Sequence, residues 1–113
     1  MKTSGIGIDA IEISRFRSAL RKKKDRFIAS TFSLVERAYC FSYGDPAPHF
    51  AGTFAAKEAV QKALKSPIDL RHIEIRRLKS GKPEVWLEGR RSAIIVSITH
   101  NKTLACAVAL HRK

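Results

Sequence analysis

The stretch from Phe54 to Leu64 constrains the fold of this chain more than any other, because it has the periodicity of a single amphipathic helix. Its apolar face is made of small and branched side chains: Ala56, Ala59, Val60, Ala63 and Leu64. Its polar face carries one acid among cations: Lys57, Glu58, Gln61, Lys62 and Lys65. Glu58 precedes Lys62 in the favourable order for a helical ion pair, which is worth about 0.2 to 0.5 kcal/mol. A solvated helix face would by itself explain this pattern.

The limits of this helix are indicated by its flanking residues. Asp45-Pro46 has the character of an N-cap followed by proline at the first helical position. Pro48 would still lie in the first turn, where its missing N–H is not needed. The helix is therefore expected to run to Lys65 and to be closed by Ser66-Pro67.

The segments that precede this helix predict one strand and two further helices. Gly5-Ile-Gly-Ile-Asp9 is short, apolar and interrupted by glycines, which predicts a buried strand that another backbone approaches closely. The aspartate would end this strand, where it could also cap the next helix. The segment from Ser14 to Phe27 is expected to be a helix with a strongly basic exposed side. A third helix is expected over Phe32 to Phe41, where Ser33 and Glu36 have the spacing of a capping box.

After the central helix the hydrophobic period becomes that of strands. Ile73 to Leu87 is expected to form a hairpin around Lys79-Ser-Gly-Lys-Pro83, and the last two strands are expected at Ile94 to Thr99 and Leu104 to Leu110. One face of the final strand consists of alanines, which would let the central helix pack close to the sheet: Ala105, Ala107 and Ala109. The expected class is α+β, an antiparallel sheet with a long central helix and further helices packed on one face, in a single domain over residues 1–113.

Charge and cysteine content narrow the classes of partner. The chain has 22 Lys and Arg against 10 Asp and Glu, a formal net charge of +12 that attracts nucleic acids, phosphate-rich cofactors and acidic proteins. Cys40 and Cys106 lack the spacing of a zinc site and are too few for a disulfide scaffold, so both are expected to be reduced and packed. No stretch has the roughly eighteen apolar residues of a membrane helix, and the start lacks the apolar run of a secretory signal. A cytoplasmic protein is expected.

Two acids on different elements suggest a site. If the strand that ends at Asp9 packs against the central helix, Glu58 would come within reach of it. Two carboxylates without histidine or cysteine suit Mg²⁺, which keeps its other positions for water and phosphate oxygens. Lys57 and Lys62 would face those phosphates and neutralise charge that moves during phosphoryl-type transfer. The residues thus predict a Mg²⁺-dependent enzyme acting on a phosphate ester or anhydride, and they do not define its substrate.

Several motifs, in this order and at these separations, resemble the holo-[acyl-carrier-protein] synthase family of small 4'-phosphopantetheinyl transferases. The motifs are Gly5-Ile-Gly-Ile-Asp-Ala-Ile-Glu-Ile13, Phe54-Ala-Ala-Lys-Glu-Ala-Val-Gln-Lys-Ala-Leu64, Ser80-Gly-Lys-Pro83 and Ser97-Ile-Thr-His100. The resemblance implies the 4'-phosphopantetheinyl transferase fold. It also implies transfer of the phosphopantetheine arm of coenzyme A to a serine of apo-acyl carrier protein, with release of adenosine 3',5'-bisphosphate.

The resemblance assigns roles to individual residues. Asp9 and Glu58 match the Mg²⁺ ligands of the family, and Glu58 would also help to deprotonate the acceptor serine. Lys62 matches the lysine that contacts the phosphates and protonates the leaving group. The positions expected to line the coenzyme A site are Lys57, Lys62, Gly81, Lys82, Pro83 and His100. A plain hairpin turn would explain Gly81 and Pro83 equally well, and an exposed turn would explain His100.

The resemblance also implies partners for the basic surface. Acyl carrier proteins are acidic, so three arginines of the first basic helix are expected to steer and dock the acceptor: Arg15, Arg21 and Arg26. Members of the family are commonly trimeric, with active sites between neighbouring subunits, so a homotrimer is expected here. Neither nucleic acid nor a membrane is expected as a partner.

Two departures from the family pattern keep other functions open. Between Gly89 and Ser97 the chain is shorter than the family generally is, which would alter coenzyme A affinity or trimer geometry; Thr99, where the family usually has serine, keeps a hydroxyl. One alternative is a small basic RNA-binding module, although Trp86 is the only aromatic residue in the expected strands. The other is a catalytically impaired family member.

Overall fold

The computed structural model describes residues 4–66 and 68–112. In chain order its elements are β1 (Gly5–Glu12), α1 (Ile13–Arg21), α2 (Asp25–Thr31), α3 (Leu34–Phe41), α4 (Ala47–Ala63), a 3₁₀ turn (Leu70–His72), β2 (Ile73–Arg77), β3 (Pro83–Leu87), β4 (Arg90–Arg91), β5 (Ile95–His100) and β6 (Leu104–His111). The expected helix-ending role of Pro67 falls outside the described residues. None of the described helices is long and apolar enough to cross a lipid bilayer.

The strands pair into two antiparallel sheets of three strands each. One sheet has the order β1-β6-β5 and the other the order β2-β3-β4. The predicted α+β class with a long central helix is confirmed, whereas the expectation of a single sheet is wrong. The two-residue strand β4 was not predicted, because its Arg-Arg sequence has no hydrophobic alternation and pairs only with the end of β3.

Helix α4 packs on the β1-β6-β5 sheet through side chains that are small or absent. The three alanines of β6 that were predicted to face the helix are all buried: Ala105, Ala107 and Ala109. On β1, a Cβ atom added to Gly7 would lie 1.9 Å from the carbonyl oxygen of Ala59, and one added to Gly5 would lie 1.9 Å from that of Ala63. Because no side chain fits there, the backbones of β1 and α4 run in direct contact.

Strand β1 departs from its prediction in two respects. Only its helix-facing side is buried, since Ile6 and Ile8 on the opposite side are 71% and 68% exposed. In addition, Asp9 does not end the strand, because pairing with β6 continues to Glu12. Asp9 therefore lies inside the β1–β6 pairing, with paired residues before and after it, and on the same face of the strand as Gly7.

The basic segment predicted as one helix is two. Helix α1 ends at Arg21 and α2 begins at Asp25, and between them Lys23 adopts a left-handed backbone with φ of 53°. This break turns the chain back so that Phe27 packs against Phe16, with ring centroids 5.9 Å apart. No glycine or proline marks the break in the sequence.

Helix α3 begins as predicted. The backbone N–H of Glu36 donates to Oγ of Ser33 at 3.2 Å, and the backbone N–H of Ser33 donates to Oε1 of Glu36 at 2.9 Å, which completes the capping box. Cys40, near the end of this helix, is buried, and burial raises the pKa of its thiol to about 12. Both cysteines are free thiols, and Cys106 is half-buried.

The ends of α4 differ from the prediction. Asp45 does not cap the helix; its carboxylate instead accepts a hydrogen bond from Nη1 of Arg17 at 2.8 Å. Pro46 occupies the N-cap position without a side-chain cap, and Pro48 lies in the first turn as expected. The last helical residue is Ala63 rather than Lys65.

Candidate active site

Lys62 joins α4 to β1 at the predicted site. Its Nζ donates to Oδ1 of Asp9 at 3.2 Å and to the backbone carbonyl of Ile8 at 3.0 Å. The Asp9 side chain is only 18% exposed, whereas that of Lys62 is half exposed. The sequence favoured an ion pair between Lys62 and Glu58, but the structure pairs Lys62 with Asp9, which no local spacing could indicate.

Glu58 is half-buried and lies on the turn of α4 that precedes Lys62. Gly7 abuts the carbonyl of Ala59, the residue after Glu58, and Asp9 follows Gly7 by two residues on the same face of β1. Both predicted acids therefore lie where β1 crosses α4. Within residues 4–66 and 68–112, Glu58 forms no salt bridge.

The donor set at this crossing has the chemistry of a magnesium site. Asp9 and Glu58 supply carboxylate oxygens, the ligands that Mg²⁺ prefers. In the described part of the chain, no group of three or more His, Cys, Asp or Glu side chains is arranged to hold a metal. A cation at Asp9 and Glu58 would thus keep most of its coordination positions for water and substrate phosphate, and in this respect the two residues fit Mg²⁺.

Lys57 does not lie on the polar face to which the sequence assigned it. Its side chain is 1% exposed, and its Nζ donates to Oε1 of Glu36 at 2.7 Å and to the carbonyl oxygen of Thr31 at 2.6 Å. Oε2 of Glu36 accepts the backbone N–H of Ile75 at 2.8 Å. Burial raises the pKa of Glu36, and the Lys57 ammonium opposes that rise. The prediction that Lys57 faces bound phosphates is corrected: its ammonium is buried in the core with an internal partner.

The sequence contained one signal for this buried pair. The capping-box acid Glu36 was predicted from local spacing, and a capping glutamate that also reaches into the core needs a cation. The cation could not be chosen, since helical periodicity assigns both lysines of α4, Lys57 and Lys62, to the surface.

His100, another predicted coenzyme A residue, ends β5 and is exposed. Its ring meets the ring of His49 edge to face, with centroids 5.7 Å apart. His49 in turn stacks on Tyr43, with centroids 3.5 Å apart and an interplanar angle of 13°. Neither His49 nor Tyr43 was singled out in the sequence, because each is an isolated residue with no motif around it.

The turn between β2 and β3 carries the other predicted coenzyme A positions, Gly81, Lys82 and Pro83. Gly81 has φ of 91°, a left-handed conformation that favours glycine. Lys82 is exposed, and its carbonyl accepts the N–H of Leu78 at 2.9 Å. The carbonyl of Gly81 accepts a hydrogen bond from Nη1 of Arg77 at 3.2 Å, so an arginine of β2 holds the turn.

Comparison with known proteins identifies the family. Residues 5–109 match the family model of the 4'-phosphopantetheinyl transferase superfamily. The holo-[acyl-carrier-protein] synthase of Chlamydia caviae is 44% identical over 97% of this chain and 98% of its own length, and that of Thermodesulfovibrio yellowstonii is 39% identical over 91% and 93%. The chain belongs to the 4'-phosphopantetheinyl transferase superfamily. Within it, the chain is a transferase of the holo-[acyl-carrier-protein] synthase type, as its motifs predicted.

Solved structures of this superfamily share the fold. The holo-[acyl-carrier-protein] synthase of Bacillus anthracis, in complex with CoA (3',5'-ADP), superposes with a TM-score of 0.79 at 30% identity and covers 96% of both chains. The synthase of Helicobacter pylori, in complex with coenzyme A, has a TM-score of 0.81 at 28% identity and covers 96% of this chain and 99% of that one. The predicted fold class is thereby confirmed.

The three arginines expected to dock the acceptor are exposed, but they do not share one helix. Arg15 and Arg21 lie on α1, and Arg26 lies on α2 beyond the break at Lys23. The Arg15 guanidinium lies 5.7 Å from the ring centroid of Phe54, which fixes its direction. The basic surface of this transferase therefore spans two helices and the turn between them.

The segment between Gly89 and Ser97, which the resemblance led us to expect to be short, contains β4 and a tight return to β5. Oγ of Ser92 donates to the carbonyl of Val85 at 2.8 Å and also accepts the N–H of Ile94 at 3.2 Å. Ile94 is buried in the core. In this member of the superfamily, one serine and one buried isoleucine thus anchor the short connection between the two sheets.

Proposed function

We propose that this protein transfers the 4'-phosphopantetheine group of coenzyme A to a serine of apo-acyl carrier protein, with Mg²⁺, releasing adenosine 3',5'-bisphosphate. The observation that carries the proposal is the contact between Asp9 of β1 and Lys62 of α4, one helical turn after Glu58. It is supported by the solved relatives that are complexes with coenzyme A.

Asp9 and Glu58 would hold Mg²⁺, which when bound neutralises charge on the pyrophosphate of coenzyme A. Glu58 accepts the proton of the serine hydroxyl, a poor nucleophile until a base removes that proton. The serine oxygen then bonds to the phosphorus that carries pantetheine, and the bond from this phosphorus to the bridging oxygen breaks. Lys62, which contacts Asp9, would donate a proton to the departing bisphosphate.

The acceptor would dock on the basic surface formed by α1 and α2. Arg15, Arg21 and Arg26 are exposed there, and the net charge of +12 would speed the approach of an acidic carrier protein. Charge of this kind acts mainly on the association rate, so the KM for the carrier protein should rise with ionic strength. A cytoplasmic location would give the enzyme access to both substrates.

A homotrimer would cover the outer face of the β1-β6-β5 sheet. This face, opposite α4, exposes large apolar side chains: Ile6, Ile8, Ile95, Leu104 and Val108. A contiguous apolar patch of this kind marks an interaction surface in an otherwise charged protein.

Apart from the net charge, no observation favours the RNA-binding alternative. Trp86, the only Trp, Tyr or Phe in the described strands, has the guanidinium of Arg76 3.7 Å above its ring centroid. That face of the ring is therefore not free to stack on a base.

The test is incubation with apo-acyl carrier protein, coenzyme A and Mg²⁺, followed by intact-mass analysis of the acceptor. The expected result is a mass gain of one phosphopantetheine that is lost in Asp9→Asn and in Glu58→Gln. Glu88→Gln is the matched control, because it makes the same chemical change at an exposed position after β3, outside the β1-β6-β5 sheet, and should keep the activity. No mass gain with the wild type, or a gain unaffected by Asp9→Asn and Glu58→Gln, would contradict the proposal.

A further inference from the structure

A chain of ring contacts connects the two predicted walls of the coenzyme A site. One wall is the turn at Gly81, which Arg77 holds by a hydrogen bond, and the other is His100 at the end of β5. The Arg77 guanidinium lies 4.7 Å from the ring centroid of Tyr39. From Tyr39 on α3 the contacts continue through Tyr43, in the loop after α3, to His49 on α4. Elements far apart in sequence thus meet in one cluster.

The middle of this series of ring contacts is fixed by rings on both sides of His49. The hydroxyls of Tyr39 and Tyr43 are hydrogen bonded at 3.1 Å, and their rings meet edge to face with centroids 5.4 Å apart. Tyr43 stacks flat on His49, and Tyr39 meets His49 edge to face at 6.1 Å. The imidazole of His49 therefore has little freedom to rotate, and the ring of His100 rests on it.

The electrostatics keep His49 neutral at pH 7. Burial lowers its pKa, positive charge at His100 and Arg77 lowers it further, and only Asp45 acts in the opposite direction. The groups that face His49 come from four parts of the fold: His100 of β5, Arg77 of β2, Tyr39 of α3, and Tyr43 and Asp45 of the following loop. A neutral His49 supports the ring of His100 without placing a positive charge beside it.

We propose that His49 is a positioning residue, which holds His100 at a fixed distance from the Gly81 turn and thereby sets the affinity for the nucleotide end of coenzyme A. This inference rests on the proposed function, and it takes from the family resemblance that His100 and the Gly81 turn line the coenzyme A site at its nucleotide end. It adds to that function four residues without a motif: Tyr39, Tyr43, His49 and Arg77. Glu58 and Lys62 lie outside this cluster, and the acceptor serine belongs to the carrier protein. The chemical step itself should therefore not depend on the cluster.

The experiment measures binding by titration calorimetry with three probes: coenzyme A, adenosine 3',5'-bisphosphate and 4'-phosphopantetheine. His49→Ala is expected to weaken the first two by the same factor, about three- to tenfold, the range of an aromatic pair contact. The affinity for 4'-phosphopantetheine should not change. His49→Phe keeps a ring between Tyr43 and His100 and should restore most of the loss. In turnover assays, His49→Ala should raise the KM for coenzyme A and leave kcat within about twofold, the scale of a residue that acts on ground-state binding.

The controls separate this inference from the proposed function. His72→Ala removes an exposed histidine outside the cluster and should leave all affinities unchanged. If the wild type binds coenzyme A, and His49→Ala binds coenzyme A and adenosine 3',5'-bisphosphate as tightly as the wild type does, the inference is wrong and the proposed function stands. A loss of affinity for all three probes, or one that His49→Phe does not restore, also contradicts it. If the wild type neither binds coenzyme A nor modifies the carrier protein, the proposed function itself fails.

Discussion

Replacing Lys57 with methionine should destabilise the protein strongly, because it leaves the carboxylate of Glu36 buried without its cation. The side chains of Lys57 and Glu36 are 1% and 0% exposed, and the lysine supplies two short hydrogen bonds, to Glu36 and to the carbonyl of Thr31. Breaking a buried ion pair on one side typically costs about 3 to 5 kcal/mol. Domains of this size have a free energy of unfolding of about 5 to 15 kcal/mol, so this single change removes a large part of it.

A second variant separates the buried charge from the lost packing. In Lys57→Met with Glu36→Gln, the glutamine keeps an oxygen for the backbone N–H of Ser33 or Ile75 but carries no charge. The double variant is therefore expected to be more stable than Lys57→Met alone, by roughly 1 to 3 kcal/mol, the usual penalty of an unsatisfied buried group. Urea denaturation of the wild type, Lys57→Met, Glu36→Gln and the double variant at pH 7 gives the coupling free energy directly.

The outcome also decides between the buried and the surface interpretation of Lys57. If Lys57 faced the phosphates of coenzyme A, as its sequence position suggested, Lys57→Met would raise the KM for coenzyme A and leave stability within about 0.5 kcal/mol, as surface substitutions do. That result would refute the buried-pair reasoning. A double variant less stable than Lys57→Met would refute it equally, since removal of the charge would then bring no relief.

Three further changes test other parts of the fold. Gly7→Ala places a methyl group 1.9 Å from the carbonyl of Ala59, so it should destabilise by about 1 to 3 kcal/mol or more in urea titration, and an unchanged midpoint would show that β1 and α4 are not in backbone contact. Ile8→Glu, on the exposed sheet face, should turn the proposed trimer into monomers by light scattering, whereas Leu78→Glu, exposed elsewhere, should not; equal masses for the two would exclude this face as the interface. The pKa of His49 is lower in the folded protein than in the unfolded chain, so the unfolded chain binds this proton first as the pH falls. The free energy of unfolding should therefore decrease as the pH drops below about 6.5, and the decrease should be smaller in His49→Phe. Identical pH profiles of the two proteins in urea titrations would argue against a neutral His49.

Local chemistry explains what the sequence predicted well. The capping box of Ser33 and Glu36 depends on residues three apart, and the alanine face of β6 depends on strict alternation, so both are encoded within one element. The glycines of β1 predicted a close approach of another backbone, and α4 makes that approach. The order and separations of the motifs identified the family, because each motif keeps its position along the chain.

The features that the sequence did not predict depend on partners distant in the chain. Asp45 has the pattern of an N-cap, yet its carboxylate binds Arg17, 28 residues away. Lys62 was matched with its neighbour Glu58, yet it reaches across to Asp9, 53 residues away. A periodicity argument compares residues within one helix and cannot weigh such contacts. The break at Lys23 has no local marker at all, and the packing of Phe27 on Phe16 accounts for it.

The buried pair and the candidate site are linked by the geometry of α4. Lys57 and Glu58 are adjacent, so successive side chains point about 100° apart around the helix axis. With Lys57 held by Glu36 and Thr31, the helix has one rotation in which Glu58 is half-buried at the crossing and Lys62 reaches β1. A rotation by one residue would expose the lysine and carry Glu58 away from Asp9. Since a buried ion pair contributes little more stability than apolar packing would, we infer that its role here is to fix this rotation, and with it the positions of Glu58 and Lys62 relative to β1.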